Sequence, residues 1–388
     1  MPKSTLLTEH RAPEISLLGL RGASLNHKLH SIQVLRGIAA VLVVIYHSFL
    51  VLAEKNLGDG GRFDIGAMGV DIFFVISGFV MFWTTRKHTG SLLDSLRFYK
   101  KRIARIVPLY WTLTIVVAGT YFIWPGAFSI FSATPAELIK SLLFIPYFAA
   151  NGEIQPLIGQ GWTLNYEMFF YLVFGLLLVL NRKYIVLTLA AFFVSIVVIG
   201  EICSVPRDSV LSFYFSPLLV EFCAGVLLAY ATLKGRVTSN ILGVLVLLST
   251  CMLYGFFSRN QGFREEYGHE YRALIWGGTS YIVVQVALWL EPWLSKGWSK
   301  VPLLLGDASY SIYVSHMLVL VAVLKIEKVA GAGLHIHFVN GLSSWWMLSV
   351  FAIIGGMATY WLLERNLTRV FQPGSGLDER VEKAASVT

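Results

Sequence analysis

Cysteine is scarce in this chain: three residues in 388, at Cys203, Cys223 and Cys251, with no CxxC pair and no neighbouring histidine. That scatter argues against a disulfide framework or a metal cage, so no metal is expected and the thiols read as small packing groups. Charge is scarce too, at 14% of residues, and it falls between long uncharged runs. There is no Walker loop, no dinucleotide glycine fingerprint and no zinc-finger spacing. The formal net charge of +8 therefore points to anionic lipid headgroups and not to nucleic acid. No internal repeat or low-complexity linker divides the chain, which leaves one domain.

What the chain has in quantity is apolar sequence, 56% of it. Ten stretches are long enough to read as membrane spans: 32–53, 66–85, 106–124, 162–180, 184–200, 213–233, 239–257, 271–290, 303–326 and 343–363. The expected fold is all-α, a polytopic membrane protein with about ten transmembrane helices. One short re-entrant or interfacial segment is expected at 138–148, where Pro146 interrupts an apolar run. Ten crossings put both termini on one side. With that side inside, 21 of the 31 lysines and arginines fall in inner segments and nine in outer ones, Arg36 lying within a span. The expected layout is a cytoplasmic tail over 1–31, a membrane domain over 32–363 and a cytoplasmic tail over 364–388. The first apolar run is too long for a cleaved signal core and is expected to stay as a helix.

The first span, SIQVLRGIAAVLVVIYHSFLVLA, contains Arg36 and His47. Eleven steps of 100° bring them to within about 20° of one helix face, roughly 16 Å apart along the axis. Ionisable groups in hydrocarbon are costly and point to function. Counted inward from the outer ends of their spans, His47, Asp71, Glu167 and His316 fall in one layer, roughly 9–15 Å deep. If their helices pack together, His47 is a general base or a nucleophile, and Glu167 orients it or an incoming hydroxyl. The structural alternative has the histidines donating to nearby carbonyls and the carboxylates accepting hydrogen bonds or pairing with arginine. Asp71 leans structural, because Ser77 and Gly78 suit a close helix contact. Trp162, Tyr166, Tyr171, Tyr310 and Tyr313 are either interfacial anchors or the wall of a sugar cavity. Asn165 and Ser311 join Tyr310 and His316 as candidate polar contacts.

At the opposite face, RFYKKRIARIVPLYW crowds Arg97, Lys100, Lys101, Arg102 and Arg105 before Pro108, which suits the first turn of the third span. Orientation by positive charge explains such a cluster by itself. Yet Arg102 and Arg105, at i and i+3, face together and suit bidentate phosphate binding, with Lys101 adding diffuse charge. The phosphates of coenzyme A are a fitting ligand, helped by Arg36. Its pantetheine arm is on the order of the 16 Å between Arg36 and His47.

These segments resemble, in order, the motifs of membrane-bound acyltransferase family 3, which includes bacterial O-acetyltransferases of exopolysaccharide, lipopolysaccharide O-antigen and Nod factors. LRGIAAVLVVIYH matches the arginine-x10-histidine signature at Arg36 and His47, and GVDIFFVISGF the second-span signature. KKRIARIVPLYW matches the basic motif, although Lys101 stands where arginine is common. GWTLNYEMFFY places Trp162 and Glu167, and LGDASYSIYVSH places Tyr310, Ser311 and His316. The resemblance covers roughly 31–365. It implies an acyl-CoA-dependent O-acyltransferase with acetyl-CoA as cytoplasmic donor and His47 as the catalytic histidine. It also implies a saccharide or lipid-linked saccharide acceptor, a polysaccharide assembly machinery as neighbour, and residence in a bacterial inner membrane. No hydrolase-like domain accompanies the motifs, so transfer is expected to finish within the membrane domain. The competing expectation from buried Asp, Glu and His groups alone is a transporter or flippase for a sugar-containing substrate.

Overall fold

Backbone groups in hydrocarbon have no water to bond, so a chain this apolar must satisfy them within helices. The computed structural model describes residues 29–55, 63–123, 134–206, 208–235, 272–295, 300–334 and 344–371. In chain order the helices are α1 (His30–Glu54), α2 (Met68–Thr84), α3 (Leu92–Ile123), α4 (Pro135–Leu142), α5 (Trp162–Leu177), α6 (Arg182–Ile202) and α7 (Leu218–Leu233). They continue with α8 (Gly278–Trp289), α9 (Glu291–Leu294), α10 (Lys300–Asp307), α11 (Ser309–Leu334), α12 (Ser344–Thr359) and α13 (Arg365–Phe371). A π-helical turn precedes α8 at Ala273–Gly277 and another joins α12 to α13 at Tyr360–Glu364.

Among the described residues seven stretches are long and apolar enough to cross a bilayer: His30–Glu54, Asp64–Thr84, Leu92–Ile123, Arg182–Ile202, Val210–Leu233, Ser309–Ala330 and Ser344–Phe371. The expected spans at 162–180 and 271–290 correspond to shorter helices: the 16 residues of α5 and the apolar stretch Ala273–Trp289. The expected span at 239–257 lies outside the described residues. At 138–148 the eight-residue α4 reaches only about 12 Å, too short to cross. Thr134 and Glu137 close a capping box at its start, and Ile139, Leu143 and Ile145 beyond it are exposed. The stretch that turns inward comes later: Leu157, Ile158 and Gln160 are buried just before α5.

Three boundaries differ from those expected. Helix α3 begins at Leu92, so the basic cluster rides on the helix itself and Pro108 sits inside it. The stretch 303–326 is two helices, α10 and α11, meeting at Ala308. The C-terminal helix runs past residue 363 to Phe371, which brings Glu364 into the core at 1% exposure. The apolar window ends at 363, whereas the helix continues for as long as a carboxylate finds partners inside.

Close crossings set the packing of the helices that carry polar groups. A Cβ at Gly78 would press on the Phe222 backbone, and one at Gly225 would press on the Phe79 amide, so α2 and α7 meet backbone to backbone. This is the close contact expected from Ser77 and Gly78. Gly37 and Gly306 bring α1 against α10 in the same way. The first turn of α1 is capped by Glu291, whose carboxylate accepts from the His30 and Ser31 amides at 2.9 and 2.7 Å. Gly78→Ala is expected to cost about 1–3 kcal/mol by overpacking. Thermal unfolding in detergent measures it, and an unchanged midpoint would contradict the crossing.

Candidate active site

Helices α1, α2, α3, α5 and α11 enclose a cavity of about 810 Å³, counting its open mouth. Arg36, Arg102, Arg105, Glu167, Tyr171 and Tyr310 supply its polar wall. Arg102 and Arg105 reach it from one face of α3, as their i,i+3 spacing requires. The three arginines differ in what already holds them. Arg105 Nη2 lies 3.2 Å from Glu364 Oε1, and Glu364 Oε2 accepts from Ser311 Oγ at 2.5 Å. Arg102 Nη2 donates to Thr84 Oγ1 at 3.3 Å, its guanidinium lies 5.7 Å from the centre of the Phe98 ring, and its Nε is buried without a described partner. Arg36 has no hydrogen bond or ion pair to a described residue.

Lys101 is exposed and lies outside this wall. In the turn between α2 and α3, His88 is held below its ordinary pKa, first by burial; Lys101, Arg182 and Arg97 add to the effect and Asp94 opposes it. Lys101 thus belongs with this surface group of cations.

Glu167 is placed differently from the expected layer. Its Oε1 accepts from Ser77 Oγ at 2.8 Å and from the Tyr171 hydroxyl. Ser77 is six residues deeper along α2 than Asp71, roughly 9 Å. Bonded to Ser77, Glu167 lies on the arginine cavity and not level with Asp71. No hydrogen bond links Glu167 to His47, so its expected role in orienting that ring is corrected. Trp162 is half-buried, and its ring meets Phe74 and Tyr166 edge to face, 6.4 and 5.9 Å away.

The partner of His47 is His316. His316 Nε2 lies 3.3 Å from His47 Nδ1, and His47 Nδ1 also lies 2.9 Å from the Val43 carbonyl. His316 is fully buried. Neither histidine lines the arginine cavity. Between them and the cavity stand Phe73 and Tyr313, ring centres 5.7 Å apart, with Tyr313 a further 6.0 Å from the His316 ring. The Tyr313 hydroxyl is tied to Thr163 Oγ1 at 2.9 Å.

Asp71 pairs with Arg272 at 3.3 Å, joining α2 to the π turn before α8, and buried Glu221 on α7 acts electrostatically on both. The Tyr310 hydroxyl donates to the Ile106 carbonyl at 2.7 Å, tying α11 to α3. Asn165 is buried on α5, with neither side-chain polar atom bonded to a described residue. Sequence reasoning did not single out Glu221 or Glu364. Glu221 carries a signal that could have found it, a lone acid in the apolar run LLVEFCAGV. Glu364 follows the last apolar residue of YWLLE and looks like the start of a tail.

A family described as "Acyltransferase domain" matches residues 29–365. The exopolysaccharide production protein ExoZ of Rhizobium meliloti is 35% identical over 319 residues, covering 82% of this chain and 93% of that protein. The peptidoglycan O-acetyltransferase OatA of Listeria monocytogenes is 25% identical over 320 residues, covering 74% of this chain and 48% of that protein. The acyltransferase MdmB of Streptomyces mycarofaciens is 29% identical over 172 residues, 40% of this chain and 41% of that protein. No solved structure matches. With its multi-pass helical architecture and a match that spans the whole bundle, the chain belongs to the acyltransferase 3 family of membrane enzymes.

Proposed function

We propose that this acyltransferase moves an acetyl group from acetyl-CoA on the cytoplasmic side to a hydroxyl of an exported or cell-surface saccharide, or of its lipid-linked precursor. It does so in a bacterial inner membrane, with both termini cytoplasmic. One observation carries the reading: three arginines converge on one cavity, while His47, farther along α1 from Arg36, pairs with His316 of α11. The excess of basic residues on the inner segments supports the direction. The name of the Rhizobium relative supports a saccharide acceptor.

The arginines suit a phosphate-bearing donor unequally. Glu364 already neutralises Arg105. Arg36 makes no short ion pair with a described carboxylate, and Arg102 keeps an unpartnered buried Nε, a loss of about 1–3 kcal/mol that an anion would recover. Arg36 and Arg102 therefore carry most of the phosphate binding, with Arg105 behind them. Glu167, held by Ser77 and Tyr171, keeps a negative charge facing the arginines and limits their mutual repulsion. Phe73 and Tyr313 must part to let the thioester reach His47.

His47 Nε2 then takes the proton of the acceptor hydroxyl as its oxygen bonds to the acyl carbon. The C–S bond breaks and His47 returns the proton to the departing sulfur, so no net proton is consumed. Arg102→Ala is expected to weaken coenzyme A binding by about 10–100-fold, from the loss of about 1.5–3 kcal/mol for a hydrogen bond to a charged group. Isothermal titration of the purified protein measures this, and unchanged affinity would remove Arg102 from the donor site.

A further inference from the structure

We infer that His316 is a positioning residue that fixes the tautomer of His47 and so leaves the Nε2 of that ring free to accept a proton. The inference rests on His47 being the base of the proposed reaction. His316 Nδ1 lies 2.6 Å from the Tyr313 carbonyl and 3.2 Å from the Ile312 carbonyl. A ring lone pair aimed at two carbonyl oxygens is repulsive, so that nitrogen carries the hydrogen. In a neutral ring the bare nitrogen is then Nε2, and it points at His47 Nδ1 across 3.3 Å.

His47 meets the same constraint from two sides. Its Nδ1 faces both the Val43 carbonyl at 2.9 Å and the His316 lone pair. A proton on Nδ1 satisfies both acceptors, whereas the other tautomer would aim a lone pair at each of them. His47 is therefore the Nδ1–H form. Its Nε2 has a free lone pair and makes no hydrogen bond to a described residue. When His47 takes the proton, the Nδ1–H bond becomes charge-assisted and strengthens as the reaction needs it. A carboxylate usually orients a catalytic histidine. Here the neutral, fully buried His316 does so, and no ion pair has to be desolvated around His47.

The test compares His316→Leu with His316→Gln, which both occupy the space but differ in offering an acceptor to His47. Leucine is expected to lower kcat on the order of 10–100-fold, the scale of losses when the outer hydrogen-bond partner of a metal-ligating histidine is removed, with the donor KM unchanged. Glutamine is expected to recover most of that loss through its amide oxygen. Solid-state 15N spectra of the histidine-labelled native protein, with His47 assigned by difference from His47→Ala, are expected to show protonated Nδ1 and bare Nε2. This readout needs no variant of His316. A His47 proton on Nε2, equal kcat for leucine and glutamine, or wild-type kcat for leucine would overturn the inference. If His47→Ala itself keeps full transfer, the base reading fails instead.

Discussion

Transfer by the His47→Ala protein is expected to fall by about 10²–10⁴-fold, the usual contribution of a positioned general base. Folding and coenzyme A affinity are expected to stay. The ring is half-buried, and beyond its own helix it bonds only His316, whereas the α1–α10 crossing rests on Gly37 and Gly306, so its removal leaves that crossing intact. The arginines that bind the donor begin roughly 16 Å away along α1. Release of free coenzyme A in the presence of acceptor measures the loss, and a thermal midpoint checks the fold. Residual transfer near the wild-type rate would remove His47 from the chemistry.

Glu364→Ala is expected to give the largest loss of stability at the site. Breaking a buried ion pair from one side costs about 3–5 kcal/mol. Arg105 is 33% exposed, so solvent screens part of its orphaned charge and about 2 kcal/mol is the expected loss. Ser311 Oγ would lose its acceptor as well. Glu364→Gln keeps an oxygen for that hydroxyl and should fall between alanine and wild type. Thermal unfolding of the three proteins in one detergent gives the order, and a wild-type midpoint for alanine would contradict the buried pairing.

Helix positions and the polar residues inside them were legible from apolar run length and from single charges within those runs. Arg36 is legible in this way, and Arg102 and Arg105 by their i,i+3 spacing within the basic cluster before the third span; all three line the cavity. His47 and His316 could each be recognised, but their contact joins α1 to α11 across 269 positions, and no periodicity within one helix reports such a pairing. Counting residues inward from Trp162 places Glu167 level with Asp71, whereas its contact is Ser77, six residues farther along α2, because a count along one helix does not report how two helices are staggered. Glu364 was missed because hydropathy ends the span one residue earlier. A carboxylate paired with Arg105 and Ser311 belongs inside, yet in the sequence it looks like a solvated tail. Lys101 shared its neighbours' motif, but its side chain is exposed outside the cavity wall.

One helix bundle holds a donor-binding end at Arg36 and Arg102 and a chemical end at His47. A donor titration of acetyl transfer in proteoliposomes, with labelled acetyl-CoA and an oligosaccharide acceptor, tests that division most directly. Arg102→Ala and His47→Ala are run beside the wild type. The prediction is that Arg102→Ala raises the donor KM while keeping kcat within a few-fold, and that His47→Ala loses kcat while still binding coenzyme A. Unaltered turnover by His47→Ala, or a donor KM for Arg102→Ala equal to that of wild type, would contradict it.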